Sequence, residues 1–315
     1  MAAFSAGNSQ GITELTKYIP EMWSDEIIGS FKSNLVLANL VTKIMHNGKK
    51  GDTVHIPTQA TRGSASAKAE GANAVTLIRD VATHTDINID KHFEYSRLIE
   101  DMAEIQAIDS YRKFYTDDAG FALAKQVDTN LHELGELLQG GAAGGENYEA
   151  AVIGSNGSTT FLDASAGNAA AIADAGLRKC IQTLDDADVP LSDRFLVIPP
   201  VEKKSLMGLS RFTEQAFVGE GGPANTIRNG YLGDVYGVPI YVSTNVDSIT
   251  CDDSSTVVKS CLLLHRSALG YVEQMGVRTQ TQYMQEYLSD LFTADTIYGV
   301  GELRNDAGIA IIVPS

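Results

Sequence analysis

The residues of this sequence that could do chemistry are few, and each set lacks a member that its reaction needs. His132 and Glu133 begin a pattern in which two histidines four residues apart on a helix bind zinc, but position 136 is a glutamate. Cys261 and His265 also have a spacing that can bind zinc, yet no Cys-x-x-Cys pair lies nearby. The sequence therefore predicts no zinc site.

Other reactive patterns fail in a similar way. The sequence has no nucleophile elbow, no phosphate-binding P-loop and no glycine-rich turn after a strand. Asp185, Asp186 and Asp188 lack the glycine and distal glutamate of a calcium-binding loop, so we expect a solvated helix end there. Asp252 and Asp253 predict a turn, and the six scattered histidines leave any pairing open. We expect no catalytic, cofactor-binding or metal-binding residues.

Composition and charge restrict the class of protein further. The chain has 315 residues, 43% of them hydrophobic, and 24 basic against 40 acidic side chains give a net charge of −16. This composition excludes disordered and fibrous chains, and the charge argues against a protein that coats nucleic acid over its whole surface. Residues 1–66 carry six basic and five acidic groups, so the acidity belongs to the remaining 249 residues.

The sequence also predicts where the chain is made. It has no run of 18 apolar residues that could span a bilayer, and residues 1–10 lack the basic start and apolar stretch of a signal peptide. Its three widely spaced cysteines, an odd number, fit a reducing cytoplasm. We expect Cys180, Cys251 and Cys261 to be buried as small hydrophobic side chains.

The spacing of apolar residues predicts the strands and helices that hold these side chains. Residues 12–46 form an arm of short amphipathic pieces that includes Trp23, and residues 52–58 form a short strand. Residues 81–89 alternate apolar and polar side chains, which predicts a half-exposed strand. The small and polar residues 59–73 between the two strands have too little apolar surface to join a core, so we expect a mobile, projecting tip.

Helical spacing follows this hairpin. An apolar stripe with steps of three and four begins at Leu98 and runs to Leu138, which predicts a long helix over residues 109–139. Asp109 is its expected N-cap, and the glycines at 140–145 end it. A second helix is expected over residues 169–187.

Short apolar strands alternate with helices and turns in the rest of the chain, which predicts an α/β domain. We expect strands at 195–198, 238–242, 261–264, 296–303 and 308–313, a helix over 201–209 and a flexible glycine-rich loop over 217–233.

The order of these elements resembles the major capsid proteins of tailed bacteriophages, the Hong Kong 97-type fold. The segments that carry the resemblance are residues 15–41, Gly51-Asp-Thr-Val-His-Ile-Pro, Leu123-Ala-Lys-Gln-Val-Asp-Thr-Asn-Leu, Arg194-Phe-Leu-Val-Ile-Pro-Pro, Gly233-Asp-Val-Tyr-Gly-Val-Pro-Ile-Tyr-Val-Ser and Tyr298-Gly-Val-Gly-Glu-Leu-Arg. Each motif is weak alone, but together they span essentially the whole chain in order. The resemblance implies an α+β fold with an N-terminal arm, an extended β-hairpin loop, a long spine helix in a peripheral domain and an α/β axial domain.

The resemblance also implies boundaries and contacts. The arm would be residues 1–51, the extended loop 52–92, the peripheral domain with its spine helix 93–140, mainly the axial domain 141–290, and strands returning to the peripheral domain 291–315. Candidate contacts between subunits are Trp23, Val54, Ile56, Arg62, Lys68, Glu70, Val81, Ile87 and Ile89. Some capsid proteins of this kind crosslink a loop lysine to an asparagine of a neighbour, but no partner for Lys68 is identified, so we carry over no crosslink.

The function implied is structural. Such a subunit is made in the host bacterial cytoplasm and forms the hexamers and pentamers of an icosahedral shell around double-stranded DNA. Its partners would be itself, a scaffolding protein, a portal, a decoration protein and, through local contacts, DNA; no membrane and no cofactor are implied. The arm would carry what inward-facing positive charge the shell has. Two alternatives remain open: an encapsulin-type shell around enzyme cargo, which has the same fold, and a cytoplasmic α/β enzyme.

Overall fold

The structure is a computed structural model that describes residues 35–46, 50–59, 65, 67, 71, 82–100, 111–138, 151–162, 164–209 and 233–315. Several sequence predictions fall outside these residues and stay predictions. They are the arm before residue 35, most of the loop tip, the N-cap at 109, the glycines at 140–145 and the loop up to residue 232.

Short and long strands alternate with four helices in the described part of the chain. The helices are α1 (Leu37–Leu40), α2 (Tyr111–Gly135), α3 (Asp174–Asp186) and α4 (Pro200–Met207). The strands are β1 (Thr42–Met45), β2 (Thr53–Gln59), β3 (Ala82–Asn88), β4 (Lys91–Glu100), β5 (Val152–Ile153), β6 (Arg194–Ile198), β7 (Asp234–Val235), β8 (Val238–Val242), β9 (Ser248–Thr250), β10 (Val257–His265), β11 (Leu269–Met284), β12 (Ser289–Glu302) and β13 (Gly308–Pro314). None of the helices described is long and apolar enough to cross a membrane.

The hydrophobic core is built on a seven-stranded sheet. Its strands follow the order β5-β13-β10-β6-β8-β7, and β9 pairs with β10. Every residue of β6 is buried, as is all of β13 except Pro314, so both faces of these two strands are covered. The apolar strands predicted at 195–198, 238–242, 261–264 and 308–313 are confirmed.

Helix α3 packs Leu177, Cys180 and Leu184 into this core at helical spacing. The helix comes so close to the loop after β5 that a Cβ on Gly176 would lie 2.0 Å from the carbonyl oxygen of Gly154. The helix begins at Asp174 and not at residue 169 as predicted, because the backbone of Ala173 is extended. Cys180, Cys251 and Cys261 are buried free thiols, as predicted.

A second, four-stranded sheet has the order β1-β11-β12-β4. Strands β11, β12 and β4 are antiparallel, and β1 runs parallel to β11. The sequence prediction was wrong for β4, since Leu98 lies in this strand and not in a helix. Phe93, Tyr95 and Ile99 fit a period of two instead, and pairing with β12 decides between the helical and the strand period.

Helix α2 contacts strands of both the four-stranded and the seven-stranded sheet. Its 25 residues span about 38 Å, and it buries Ala119, Leu123, Val127 and Leu131, the apolar stripe expected from the sequence. The helix ends at Gly135, four residues before the predicted end. A Cβ on Gly135 would lie 2.6 Å from a methyl carbon of Leu262, so this glycine allows α2 to approach β10 closely.

The C-terminal strands divide between the two sheets. Strand β12 lies in the four-stranded sheet beside β4, but β13 pairs with β10 and β5 in the seven-stranded sheet. Residues 291–315 therefore contribute to both sheets, and the predicted return of their strands to the peripheral domain stays a prediction. Local apolar runs predict both strands, but the turn around residues 305–307 sends β13 into the other sheet.

Candidate assembly surfaces

The β2–β3 hairpin is fixed to the body at its base. Its strands pair from Thr53 opposite Asn88 to Gln59 opposite Ala82, which confirms the two strands predicted from the sequence. Ile87 is fully buried against Gly301 and Gly270, where added Cβ atoms would lie 2.7 and 2.9 Å from its side chain. The two glycines therefore form the recess that receives Ile87.

The predicted contacts between subunits divide into three groups. Val54, Ile56 and Ile89 are half-buried in the isolated chain and stay candidates for contact with a neighbour. Ile87 is removed from the set, because its side chain is already enclosed by its own subunit. The other five candidates lie outside the described residues: Trp23, Arg62, Lys68, Glu70 and Val81.

A second projecting surface lies at the turn between β11 and β12. Tyr283, Tyr287 and Leu288 are 45%, 61% and 65% exposed there. Leu98 on β4 is exposed near the same end of the sheet but on the opposite face from Tyr283, because it pairs with Leu291, which pairs with Gln282. The three exposed residues Tyr283, Tyr287 and Leu288, which we call the sheet-end patch, were missed from the sequence because β11 was not recognised. Large apolar residues exposed together mark contact surfaces.

Polar side chains on α2 join the two sheets. Asp128 accepts hydrogen bonds from the backbone N–H of Leu37 (2.9 Å) and the side-chain amide of Asn245 (3.2 Å). Asn130 donates to the hydroxyl of Tyr298 on β12 at 2.8 Å. Burial raises the pKa of Asp128, and these hydrogen bonds oppose the shift. The helix is therefore held by directional bonds as well as by apolar packing.

The zinc-like pattern on α2 is a buried structural feature. His132 and Glu136 are almost fully buried, and neither ring nitrogen of His132 nor Oε1 of Glu136 has a hydrogen-bond partner. Desolvation lowers the pKa of His132 to about 3. Burial, together with the nearby carboxylate of Asp247, raises the pKa of Glu136 to about 9. A neutral imidazole and a protonated carboxyl group are the forms that such burial favours.

Three further candidates for chemistry are Cys261, Asp185 and Asp253. Burial raises the pKa of the Cys261 thiol well above its usual value. Asp185 pairs with Arg194 at 2.7 Å. Asp253 accepts hydrogen bonds from the Thr256 hydroxyl and from the backbone N–H groups of Thr256 and Ser255, in the turn expected from the sequence, and these bonds lower its pKa.

One group of potential metal ligands does converge within the described residues. It consists of His55 on β2 with His84 and Asp86 on β3, whose ligand atoms lie within 4.8 Å of one another. The sequence left the pairing of histidines open, because 29 or more residues separate His55 from the other two.

The chain resembles known proteins in structure but not in sequence. No family model matches this sequence, and no curated protein matches it. A chain in the capsid structure of the cyanophage P-SCSP1u superposes with a TM-score of 0.74 at 18% identity, over 99% of this chain and 97% of the other. A chain from Mycobacterium phage Che8 gives 0.71 at 24% identity, over 93% and 97%.

A chain from the capsid of Ralstonia phage GP4 gives a TM-score of 0.68 at 15% identity, over 100% of this chain and 98% of the other. The likeness spans the described sheets and helices together, and neither chain has a large unmatched part. The chain therefore has the fold of the subunits in these phage capsid structures.

Proposed function

We propose that this chain, which has the fold of phage capsid subunits, is the major capsid subunit of a tailed bacteriophage. The observation that carries the proposal is the match over nearly the full length of both chains, at a TM-score of 0.74. A fold by itself does not fix function, so the proposal also needs support from the surfaces of the chain.

Two surfaces support a role in assembly. The β2–β3 hairpin is anchored at its base through Ile87, and its remaining apolar side chains, Val54 and Ile56, stay half-exposed. The sheet-end patch exposes large apolar side chains at the turn between β11 and β12. Both surfaces would be covered by neighbouring copies in a shell, where burial of apolar area stabilises association.

The finer assignments follow from the same proposal. The primary partner is the chain itself, arranged as hexamers and pentamers of an icosahedral shell of the Hong Kong 97 type. Residues 1–51 would be the arm, 52–92 the extended loop, 93–140 the peripheral domain with α2 as its spine helix, 141–290 mainly the axial domain, and 291–315 strands that return to the peripheral domain. Scaffolding, portal and decoration proteins would be further partners, the virion the location, and the host cytoplasm the site of synthesis.

The charge distribution is consistent with enclosing DNA. The net charge of −16 is carried outside residues 1–66, so most of the subunit repels phosphate and a packed genome would not adhere to it. The arm would supply the inward-facing positive charge. A shell structure with the arm entirely on the outer surface would contradict that assignment.

Electron microscopy of the purified chain tests the proposal. We expect shells, or hexameric and pentameric rings, from the protein alone or with its scaffolding partner. A small monomer that persists under all assembly conditions would overturn the proposal. Particles purified from infected cells should contain double-stranded DNA, whereas particles that hold enzyme cargo in place of a genome would identify an encapsulin-type compartment.

A further inference from the structure

Two histidines and an aspartate share the outer face of the β2–β3 hairpin. His55 lies directly opposite Asp86 across the two strands, and His84 is two residues before Asp86 on the same strand. Side chains at paired positions and at positions two apart point to one face of a sheet. Because Ile87 points towards Gly270 and Gly301 of the four-stranded sheet, this group lies on the opposite face of the hairpin.

The geometry of the three side chains approaches that of a metal site. His55 Nδ1 lies 2.5 Å from Asp86 Oδ1, His84 Nε2 lies 3.6 Å from the same oxygen, and the two imidazole rings are 5.2 Å apart edge to face. Zinc binds nitrogen and oxygen at about 2.0–2.2 Å, so two ligands of a tetrahedral ion are roughly 3.3–3.5 Å apart. The side chains are 63%, 60% and 44% exposed, which leaves them free to make the small rotations required.

We propose that His55, His84 and Asp86 bind one zinc-type divalent ion. Two imidazoles and one carboxylate are a donor set that zinc accepts, and a water molecule completes the fourth position. Calcium and magnesium are excluded by the same chemistry, because those ions select oxygen ligands.

The surroundings favour a cation. Asp86 also lines a polar cavity between the hairpin and α2, which Asp90, Glu133 and Asp247 line as well. Lys91 is the one basic residue among the residues described as lining it. Such an acidic cleft raises the local concentration of cations beside the site.

A second histidine–aspartate pair provides the internal comparison. His92 Nε2 lies 3.3 Å from Asp295, but both carboxylate oxygens of Asp295 already accept hydrogen bonds from Arg278, at 3.1 and 2.8 Å. That pair offers one imidazole and a carboxylate neutralised by a guanidinium. It is therefore a matched control, with similar residue types but without converging ligands.

Binding would link the two strands of the hairpin. His55 belongs to β2 and the other two ligands to β3, so the ion joins residues that are about 30 positions apart in the chain. All three ligands come from one chain. The site is therefore independent of the proposed assembly, and each proposal can fail without the other.

Calorimetric titration of the full chain with zinc chloride tests the inference. The protein is purified without a histidine tag, stripped of metal with a chelator and dialysed. We expect saturable binding of one ion per chain, weakened at least about tenfold in H84Q and in H55Q and unchanged in H92Q. Cobalt in place of zinc should give the visible absorption of a tetrahedral ion, and this absorption should be lost in H84Q.

Several outcomes would overturn the inference. They are a wild-type chain without saturable zinc binding, an H84Q variant that binds as tightly as the wild type, and an equal loss of affinity in H92Q. The histidines replaced are exposed, and circular dichroism of each variant verifies that the fold is retained. Because ions are counted per chain, the result is the same whether the protein is assembled or not.

Discussion

Single glycines decide how the hairpin sits on the sheet. A Cβ on Gly299 would lie 2.3 Å from the backbone carbonyl oxygen of Asn88, and backbone cannot move aside as a flexible side chain can. We expect Gly299→Ala to lower the free energy of unfolding by about 1–3 kcal/mol, measured by urea denaturation.

Gly120 provides the matched control for this substitution. It lies within α2, and a Cβ there would meet nothing within 4 Å. Since alanine favours helix over glycine, Gly120→Ala should raise the free energy of unfolding by roughly 0.5–1 kcal/mol. A loss of stability in both variants, or in neither, would contradict the close approach at Gly299.

The buried carboxyl group of Glu136 should make stability depend on pH. In the folded chain its pKa is raised from 4.5 to about 9, so the folded state keeps a proton that the unfolded state releases above pH 4.5. Its contribution is therefore fully present below pH 4.5 and is lost as pH rises towards 9. Glu136→Gln cannot lose a proton, so its stability relative to the wild type should increase between pH 5 and 8, by at most about 1.4 kcal/mol per pH unit.

Denaturant unfolding of both proteins across this pH range measures the difference. Exposed Glu100 on β4, which is not among the groups that shift the pKa of Glu136, supplies the control through Glu100→Gln. Parallel profiles for Glu136→Gln and the wild type would show that Glu136 is ionised in the folded chain.

His132 makes stability depend on pH in the opposite direction. Its pKa is lowered from 6.5 to about 3, so its contribution to stability is present above pH 6.5 and is lost as pH falls towards 3.

At the level of elements, the tip of the β2–β3 hairpin is expected to serve assembly rather than folding. Gln59 and Ala82 are register partners, so a two-residue Asn-Gly turn can replace residues 60–81 between them. The shortened chain should keep its thermal unfolding midpoint within a few degrees, since the anchor at Ile87 is retained. It should fail to form shells in electron micrographs, and intact shells from the shortened chain would contradict a role for the tip in assembly.

The sheet-end patch should also affect assembly more than stability. Tyr287 is 61% exposed, so Tyr287→Ser removes little intramolecular packing but removes apolar area from a contact between subunits. We expect a higher protein concentration to be needed for assembly, measured by light scattering. Leu191, 73% exposed in the loop before β6, is the control. An equal effect of Leu191→Ser would show that the effect is not specific to this patch.

At the scale of the whole molecule, charge opposes association. Copies that each carry a net charge of −16 repel one another, and salt screens this repulsion over a Debye length of about 10 Å at 0.1 M and 3 Å at 1 M. Raising sodium chloride should therefore lower the protein concentration at which shells form. Inhibition of assembly by salt would instead indicate that attractive ion pairs between subunits dominate.

The sequence by itself determined the features that depend on near neighbours. The alternation in Ala82–Asn88, the apolar stripe of α2 and the buried runs of β6 and β13 are local periodicities, and each folds as predicted. Two of the acidic candidates, Asp185 and Asp253, have structural partners, and the three cysteines are buried free thiols.

Only the tertiary structure decided which elements meet. Pairing with β12 makes residues 91–100 a strand, and β13 joins a different sheet from β12 although both are apolar. Ile87 packs into its own subunit because two glycines of the four-stranded sheet leave room for it. His55, His84 and Asp86 converge only through the register of β2 against β3. Such contacts join residues far apart in the chain, and their geometry is set by packing and register rather than by local sequence.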